Sequence, residues 1–345
     1  MRNALISGLA QLLLVPAMIA QAPAAAAYPC AAAAAYSAAR GGVSLIIMLD
    51  GVVVCEDYPN GGAADQAHFL ASGTKSFTGV IAAAAVQDGL LRFDELVSDT
   101  LTEWQGDPVR MQITVRHLLT LSSGLEPGGN GAPPSFATAV ASRSVHNAGE
   151  RFEYGPAPFQ IFGELMRRKL LAAGRDGDPL SYLQARVLSP IGVTPAFWRR
   201  DSDGMANMPS GAALTARQWA AVGEFVRLGG VVGGQALVDP EALRALFEGT
   251  DANPGYGMSW WLIGRPGLRT GRGELAPGGP EAGDEITISD AIMAAGAGKQ
   301  RLYVIPSRGL TIVRQTDRAA SRGRGDGGRL RWSDAAFLEA ILGDD

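Results

Sequence analysis

Between Ser44 and Leu49 the chain reads "SLIIML", apolar without alternation, which is the pattern of a strand buried on both faces. Asp50-Gly51 follows, and then "VVVCEDY", so the two runs predict a β-hairpin with a tight two-residue turn. The stretch just before, Ala31 to Arg40, predicts a helix. Near the other end, Gln300 to Ile305 and Leu310 to Gln315 form a second hairpin pattern turning at Pro306 to Gly309. A closing helix, "SDAAFLEAILG", is bracketed by Ser333 as N-cap and Gly343 as stop. From Leu90 to about Gly249 the apolar residues instead recur every three to four positions, as in "VRHLLTL", "FGELMRRKLLAAG", "LTARQWAAVGEFVRLGG" and "DPEALRALFEG". Hairpins at both ends around a helical middle predict an α+β fold: one antiparallel sheet built from both chain ends and flanked by helices, with an inserted, mostly helical lobe. The sheet lobe would span about 28–89 and 255–345 and the helical lobe about 90–254, and a cleft between two such lobes is where ligands bind. The stretch "RAASRGRGDGGR" has low complexity and reads as a mobile surface loop.

The first residues change the picture of where the protein works. Arg2 is the one charge before an apolar stretch from Ala4 to Ala20, and small residues occupy Ala24 to Ala27. This is a secretory signal pattern over 1–27, with cleavage near Ala27, and a periplasmic or secreted location follows from it. An uncleaved anchor is the alternative, because 17 residues lie at the lower limit for crossing a bilayer, and membrane association would then run through that segment alone. Cys30 lies outside a lipoprotein context, since Tyr28 and Pro29 precede it. Without the leader, 29 basic residues face 34 acidic ones, a net charge of −5, so no basic field for nucleic acid is present. Two cysteines, Cys30 and Cys55, would meet an oxidising compartment and are expected to pair, two buried thiols being the alternative. No metal or cofactor site is expected, because His68, His117 and His146 are scattered and no paired ligand spacing occurs.

The chain contains three lysines, Lys75, Lys169 and Lys299, so each can be weighed singly. Lys75 stands three residues after Ser72 in "ASGTKSFTG", with Phe69, Phe77, Val80 and Ile81 available to bury the face they share. A lysine desolvated there would lose its proton more readily and could act as a base toward a serine. The same four letters also fit a helix start with a surface lysine, and by themselves they decide nothing. Other nucleophile schemes find less support: no G-x-S-x-G occurs, and "GAGKQ" lacks phosphate-loop spacing.

Further segments occur in an ordered series: "ITVRHLLTLSSGL" (113–125), "GERFEYGPAPFQIFGELM" (149–166), "YGMSWWL" (256–262) and "AAGAGKQRLYVIP" (294–306). With "SGTK" they resemble the serine β-lactamase-related superfamily, on the class C β-lactamase, esterase and D-aminopeptidase side, across nearly the whole chain from Ala31 to Leu342. The resemblance implies a β-lactamase/transpeptidase-like fold in which Ser72 attacks a carbonyl and forms an acyl-enzyme. Lys75 would take the serine proton, alone or in concert with Tyr154 of "YGP", and Tyr154 would serve the leaving group or the deacylating water. Two backbone amides would stabilise the oxyanion, those of Ser72 and of Ala297, the latter by aligning Ala294-Ala295-Gly296 with the family's "KTG" triplet.

Two positions depart from the family. Pro156 stands where "YxN" carries an asparagine, and Ala294 stands where β-lactamases carry the "KTG" lysine. Those groups hold a β-lactam's amide and carboxylate, so the departures imply an ester or small amide substrate, with weak β-lactamase activity left open. Lys299 reads as a solvated loop residue, the alternative being an anion contact that substitutes for the missing lysine, and Leu121 replaces a histidine frequent in related "HTSG" segments. The expected protein is therefore an exported serine hydrolase, the rival being a catalytically silent penicillin-recognising or peptidoglycan-binding module. The sequence is silent on oligomeric state.

Overall fold

The computed structural model describes residues 30–129, 132–266, 286–317 and 332–343. The leader (1–27) and the "RAASRGRGDGGR" stretch lie outside these residues. In chain order the main elements are α1 (Cys30–Ala39), β1 (Gly42–Leu49), β2 (Val52–Asp57), β3 (His68–Phe69), α2 (Ser76–Gln87), α3 (Val115–Leu119), α4 (Phe136–Val140), α5 (Ala157–Ala172) and α6 (Pro179–Leu183). They continue through β4 (Phe197–Trp198), β5 (Ala212–Leu214), α7 (Ala216–Arg227), β6 (Val231–Val232), β7 (Gln235–Ala236), α8 (Pro240–Ala245), β8 (Ile292–Gly296), β9 (Gln300–Ile305), β10 (Leu310–Thr316) and α9 (Asp334–Leu342).

Both chain ends build one antiparallel five-stranded sheet, ordered β2-β1-β10-β9-β8. Its two hairpins form where turn chemistry allows. Asp50 and Gly51 take φ of 47° and 81°, the pair of left-handed conformations that a two-residue turn requires, and Gly309 (φ 64°) ends the turn between β9 and β10. β1 lies between β2 and β10, which accounts for its unbroken apolar run. One sheet face is covered by α1 and α9, and α7 packs on β1, β9 and β10. Gly223 lets α7 approach closely, since a Cβ there would sit 2.5 Å from Leu302 Cδ1 and 2.6 Å from Thr311 Cγ2. Side chains alternate accordingly: Leu302 and Thr311 meet α7, while Tyr303 packs on Phe337 of α9. A disulfide joins Cys30 to Cys55 and fastens the start of α1 to β2. Closing that loop is worth roughly 3 to 4 kcal/mol by the loss of unfolded-chain entropy.

α2 runs through the interior beside the sheet. Its residues from Ser76 to Ala85 are all buried, which suits a helix apolar on every side. Among the described residues, no helix is long and apolar enough to cross a membrane.

Candidate active site

Ser72 lies on a 3-10 turn, Ala71–Lys75, that leads into α2, so the serine precedes the α-helix proper. In such a turn positions i and i+3 eclipse, and the spacing of three puts Lys75 directly over Ser72. Lys75 Nζ donates to Ser72 Oγ at 3.0 Å. Ala71 is held at φ 50°, a left-handed conformation that costs a Cβ-bearing residue roughly 1–3 kcal/mol and that recurs where a reactive group must be aimed. Neighbouring bonds impose it: Leu70 N donates to Ala212 O at 3.0 Å and Gly73 N to Leu70 O at 3.0 Å. The small sheet β3-β5-β4 thereby sets the turn that carries Ser72.

Lys75 is almost wholly buried and makes no ion pair among the described residues. Its second partner is a carbonyl, Pro209 O at 3.2 Å, and the rings of Tyr154 and Phe159 lie 4.9 and 5.6 Å from Nζ. Desolvation with no counter-charge pulls its pKa down to about 7, so a large fraction of the amine is neutral at physiological pH. Tyr154 moves the other way. Desolvation pushes its phenol up to about 12, and interactions with Ser72 and the Arg301 charge only partly oppose this. Tyr154 is therefore protonated at neutral pH, which makes it a proton donor, and Lys75 is the group able to receive the serine proton.

Tyr154 is placed by the aromatic segment around residue 260. Its ring stacks on Trp261 at 5.6 Å and meets Tyr256 edge-on at 6.4 Å. Gly155 follows because nothing larger fits, a Cβ there lying 2.1 Å from Pro127 O.

Ala297 opens the turn between β8 and β9. The preceding Gly296 presses on the Ser72 turn: an added Cβ would lie 1.9 Å from Leu70 O and 3.1 Å from Gly73 N. Gly296→Ala is therefore expected to push the Ala297 amide away from Ser72 and to lower kcat/KM for a short-chain p-nitrophenyl ester by about 10²-fold. Circular dichroism alongside would report an intact fold, and an unchanged kcat/KM would refute the packing role.

Ser72, Lys75, Tyr154 and Ala297 line one pocket of about 810 Å³. Pro156 lines it too and offers no side-chain donor, whereas Ala294 is buried within β8 and is absent from the lining. Lys299 is likewise absent from the lining. None of the three histidines belongs to it either: His68 is buried on β3, His117 shares a capping box with Thr114, and His146 lies 3.6 Å from Glu153. Residues without a sequence signal complete the walls. Gln160 is occupied on both ends, by Pro134 O (2.7 Å) and Met208 N (3.0 Å). Arg199 stacks on Phe69 at 4.1 Å without an ion pair among the described residues, and Asn207 Oδ1 accepts from Ser210 N at 3.1 Å.

Comparisons with known proteins bear on this geometry. A stretch of 155 residues is 30% identical to monacolin J acid methylbutanoyltransferase of Aspergillus terreus, and it spans 36% of this chain and 36% of that protein. The solved structure of EstCE1, a hydrolase with promiscuous acyltransferase activity, superposes with a TM-score of 0.64 at 15% identity over 91% of this chain and 96% of that one. A penicillin-binding protein homolog from Caulobacter crescentus gives a TM-score of 0.60 at 16% identity, over 84% of this chain and 91% of that one. A Mycobacterium bovis β-lactamase gives 0.57 at 19% identity, over 87% and 96%. These likenesses speak for the fold, and the family model described as Beta-lactamase matches residues 17–336, which include the Ser72 turn, the Tyr154 segment and the β8–β9 turn. The chain belongs to the Beta-lactamase family.

Proposed function

We propose that this protein is an exported serine hydrolase that cleaves an ester or small amide through an acyl-enzyme on Ser72. The observation that carries the reading is the buried Lys75 amine, 3.0 Å from Ser72 Oγ, without a carboxylate to keep it charged. A neutral amine accepts the hydroxyl proton as Oγ attacks the carbonyl carbon. The backbone amides of Ser72 and Ala297 receive the developing oxyanion, and the Tyr154 phenol passes a proton to the leaving group. Water then resolves the acyl-enzyme, with an alcohol as a competing acceptor, a capacity suggested by the names of the Aspergillus terreus relative and of EstCE1. The Cys30–Cys55 disulfide supports an oxidising compartment.

Substrate preference follows from the two replaced groups. Pro156 and Ala294 remove an amide and a cation, each worth roughly 1.5–3 kcal/mol toward a charged or amide-bearing β-lactam. A p-nitrophenyl ester is therefore expected to surpass a chromogenic cephalosporin in kcat/KM by roughly 10²-fold or more. Steady-state kinetics of both on the purified mature chain test this, and a preference for the cephalosporin would refute it. Acylation by labelled penicillin without ester turnover would favour a silent penicillin-recognising module instead.

A further inference from the structure

Arg314 on β10 is wholly buried and plays no part in the chemistry above. Its Nη2 donates to Arg40 O at 2.7 Å and its Nε to Ser37 Oγ at 3.3 Å, both beside the end of α1. Its Nη1 donates to Lys299 O at 2.8 Å and, at a longer 3.5 Å, to Gly298 O. The guanidinium lies 4.2 Å from the Trp332 ring, and among the described residues it makes no ion pair. Burying a cation in this way is unfavourable, and an apolar residue of similar volume would serve sheet packing at least as well. Packing alone does not account for it.

What Arg314 grips is the turn that carries Ala297. That turn contains two successive left-handed residues, Gly298 (φ 83°) and Lys299 (φ 62°), and is closed by the pairing of Gly296 with Gln300. Its carbonyls are captured by side chains from the sheet. Gly298 O accepts from Thr316 Oγ1 at 2.6 Å, Lys299 O from Arg314, and Gly296 O from Arg301 Nη1 at 3.4 Å. The last contact bears on the site, because Gly296 C=O and Ala297 N–H belong to one peptide group. In a trans peptide the two point in opposite directions, so drawing the oxygen toward Arg301 turns the N–H away from it. A cation on the oxygen also polarises the peptide and strengthens the N–H as a donor. Arg301 is itself fixed by Asp334, at 2.6 Å from Nε and 3.2 Å from Nη2, and it stands opposite Arg314 across β9 and β10.

We infer that Arg301, Arg314 and Thr316 are positioning residues that clamp the β8–β9 turn and aim the Ala297 amide at the oxyanion. The inference rests on the hydrolase reading for its catalytic part, while the clamping of the turn is a property of the fold.

Of the three donors, Thr316→Val removes one isosterically, along with an acceptor for Gln300 Nε2, and Arg314→Met removes a second, whereas Thr316→Ser keeps the hydroxyl. Ser44→Ala serves as a control, because it breaks a buried bond of the same sheet (Ser44 Oγ to Gln315 Oε1, 2.9 Å) outside the turn. The burst rate of p-nitrophenol release is expected to fall about 10-fold in Thr316→Val and about 10²-fold in Arg314→Met, with KM little changed. Thr316→Ser and Ser44→Ala should retain the wild-type rate, and the pH midpoint set by Lys75 should not move. Hydrogen–deuterium exchange read by mass spectrometry should quicken over residues 296–300 in the first two variants. Unchanged exchange at that turn, or an unchanged burst rate in a folded Thr316→Val, overturns the inference, as does an equal loss in Ser44→Ala. A wild type that releases no p-nitrophenol, together with a loosened turn in the variants, would sink the hydrolase reading and leave the clamp standing.

Discussion

Ser72→Ala is expected to fold normally and to lose ester hydrolysis by roughly 10⁴-fold or more, because the hydroxyl proposed to form the covalent bond is gone. The pocket, the Ala297 amide and Tyr154 would remain, so the residue of activity would reflect binding and oxyanion stabilisation alone. The fold should barely notice. Ser72 is partly exposed to the pocket, and the substitution removes its 3.0 Å bond with Lys75 and its interaction with Tyr154. The melting temperature is therefore expected to shift by no more than a few degrees, about what a surface change produces. The check is kcat for a p-nitrophenyl ester beside a thermal melt. Activity retained in a folded Ser72→Ala would place the chemistry elsewhere.

Lys75→Met is expected to lower kcat/KM by about 10²- to 10⁴-fold, the usual contribution of a general base. In the wild type kcat/KM should rise with pH through about 7 and then level, as the amine loses its proton. That limb should vanish in Lys75→Met. Lys75→Arg should be as poor, since a guanidinium keeps its proton across the accessible range. Stability carries the same signature. Lysine titrates near 10.5 in the unfolded chain and Lys75 near 7 in the folded one. Between those values the unfolded chain holds the extra proton, so the burden of burying Lys75 is full below pH 7 and is relieved as pH rises to 10.5. Lys75→Met should thus gain stability over the wild type at pH 6 and lose that advantage by pH 10, as read by urea midpoints. A pH profile unchanged by Lys75→Met would contradict the assignment of the base.

Much of this was legible in the residues, for identifiable reasons. The sheet could be read from both ends because Asp50-Gly51 and Gly309 permit the tight turns and apolar residues cluster on either side of them. The helix Asp334–Leu342 was marked by Ser333, whose hydroxyl oxygen caps it by accepting from Ala336 N–H at 3.0 Å. Strands of two or three residues, such as His68–Phe69 and Ala212–Leu214, are too short for an alternating pattern to register, yet they fix the nucleophile turn. Periodicity gave α7 an apolar face without indicating that the face packs on the sheet, a matter of contacts distant in sequence. The pairing of Ser72 with Lys75 was visible as spacing, but the 3-10 turn that makes the spacing work depends on a left-handed Ala71 that alanine does not advertise. Arg199 and Asn207 come from chain between short strands, where no period marks them. Arg314 sits in a buried strand beside Gln315 and Thr316, and its charge acquires meaning only beside the β8–β9 turn.

The central claim is that Ser72 is a nucleophile activated by a neutral Lys75, and labelling with a fluorophosphonate followed by peptide mass mapping tests it most directly. The expected result is a single adduct on Ser72, formed faster as pH rises through about 7 and lost in Lys75→Met. A folded protein that takes up no label, or takes it on another residue, would contradict the account.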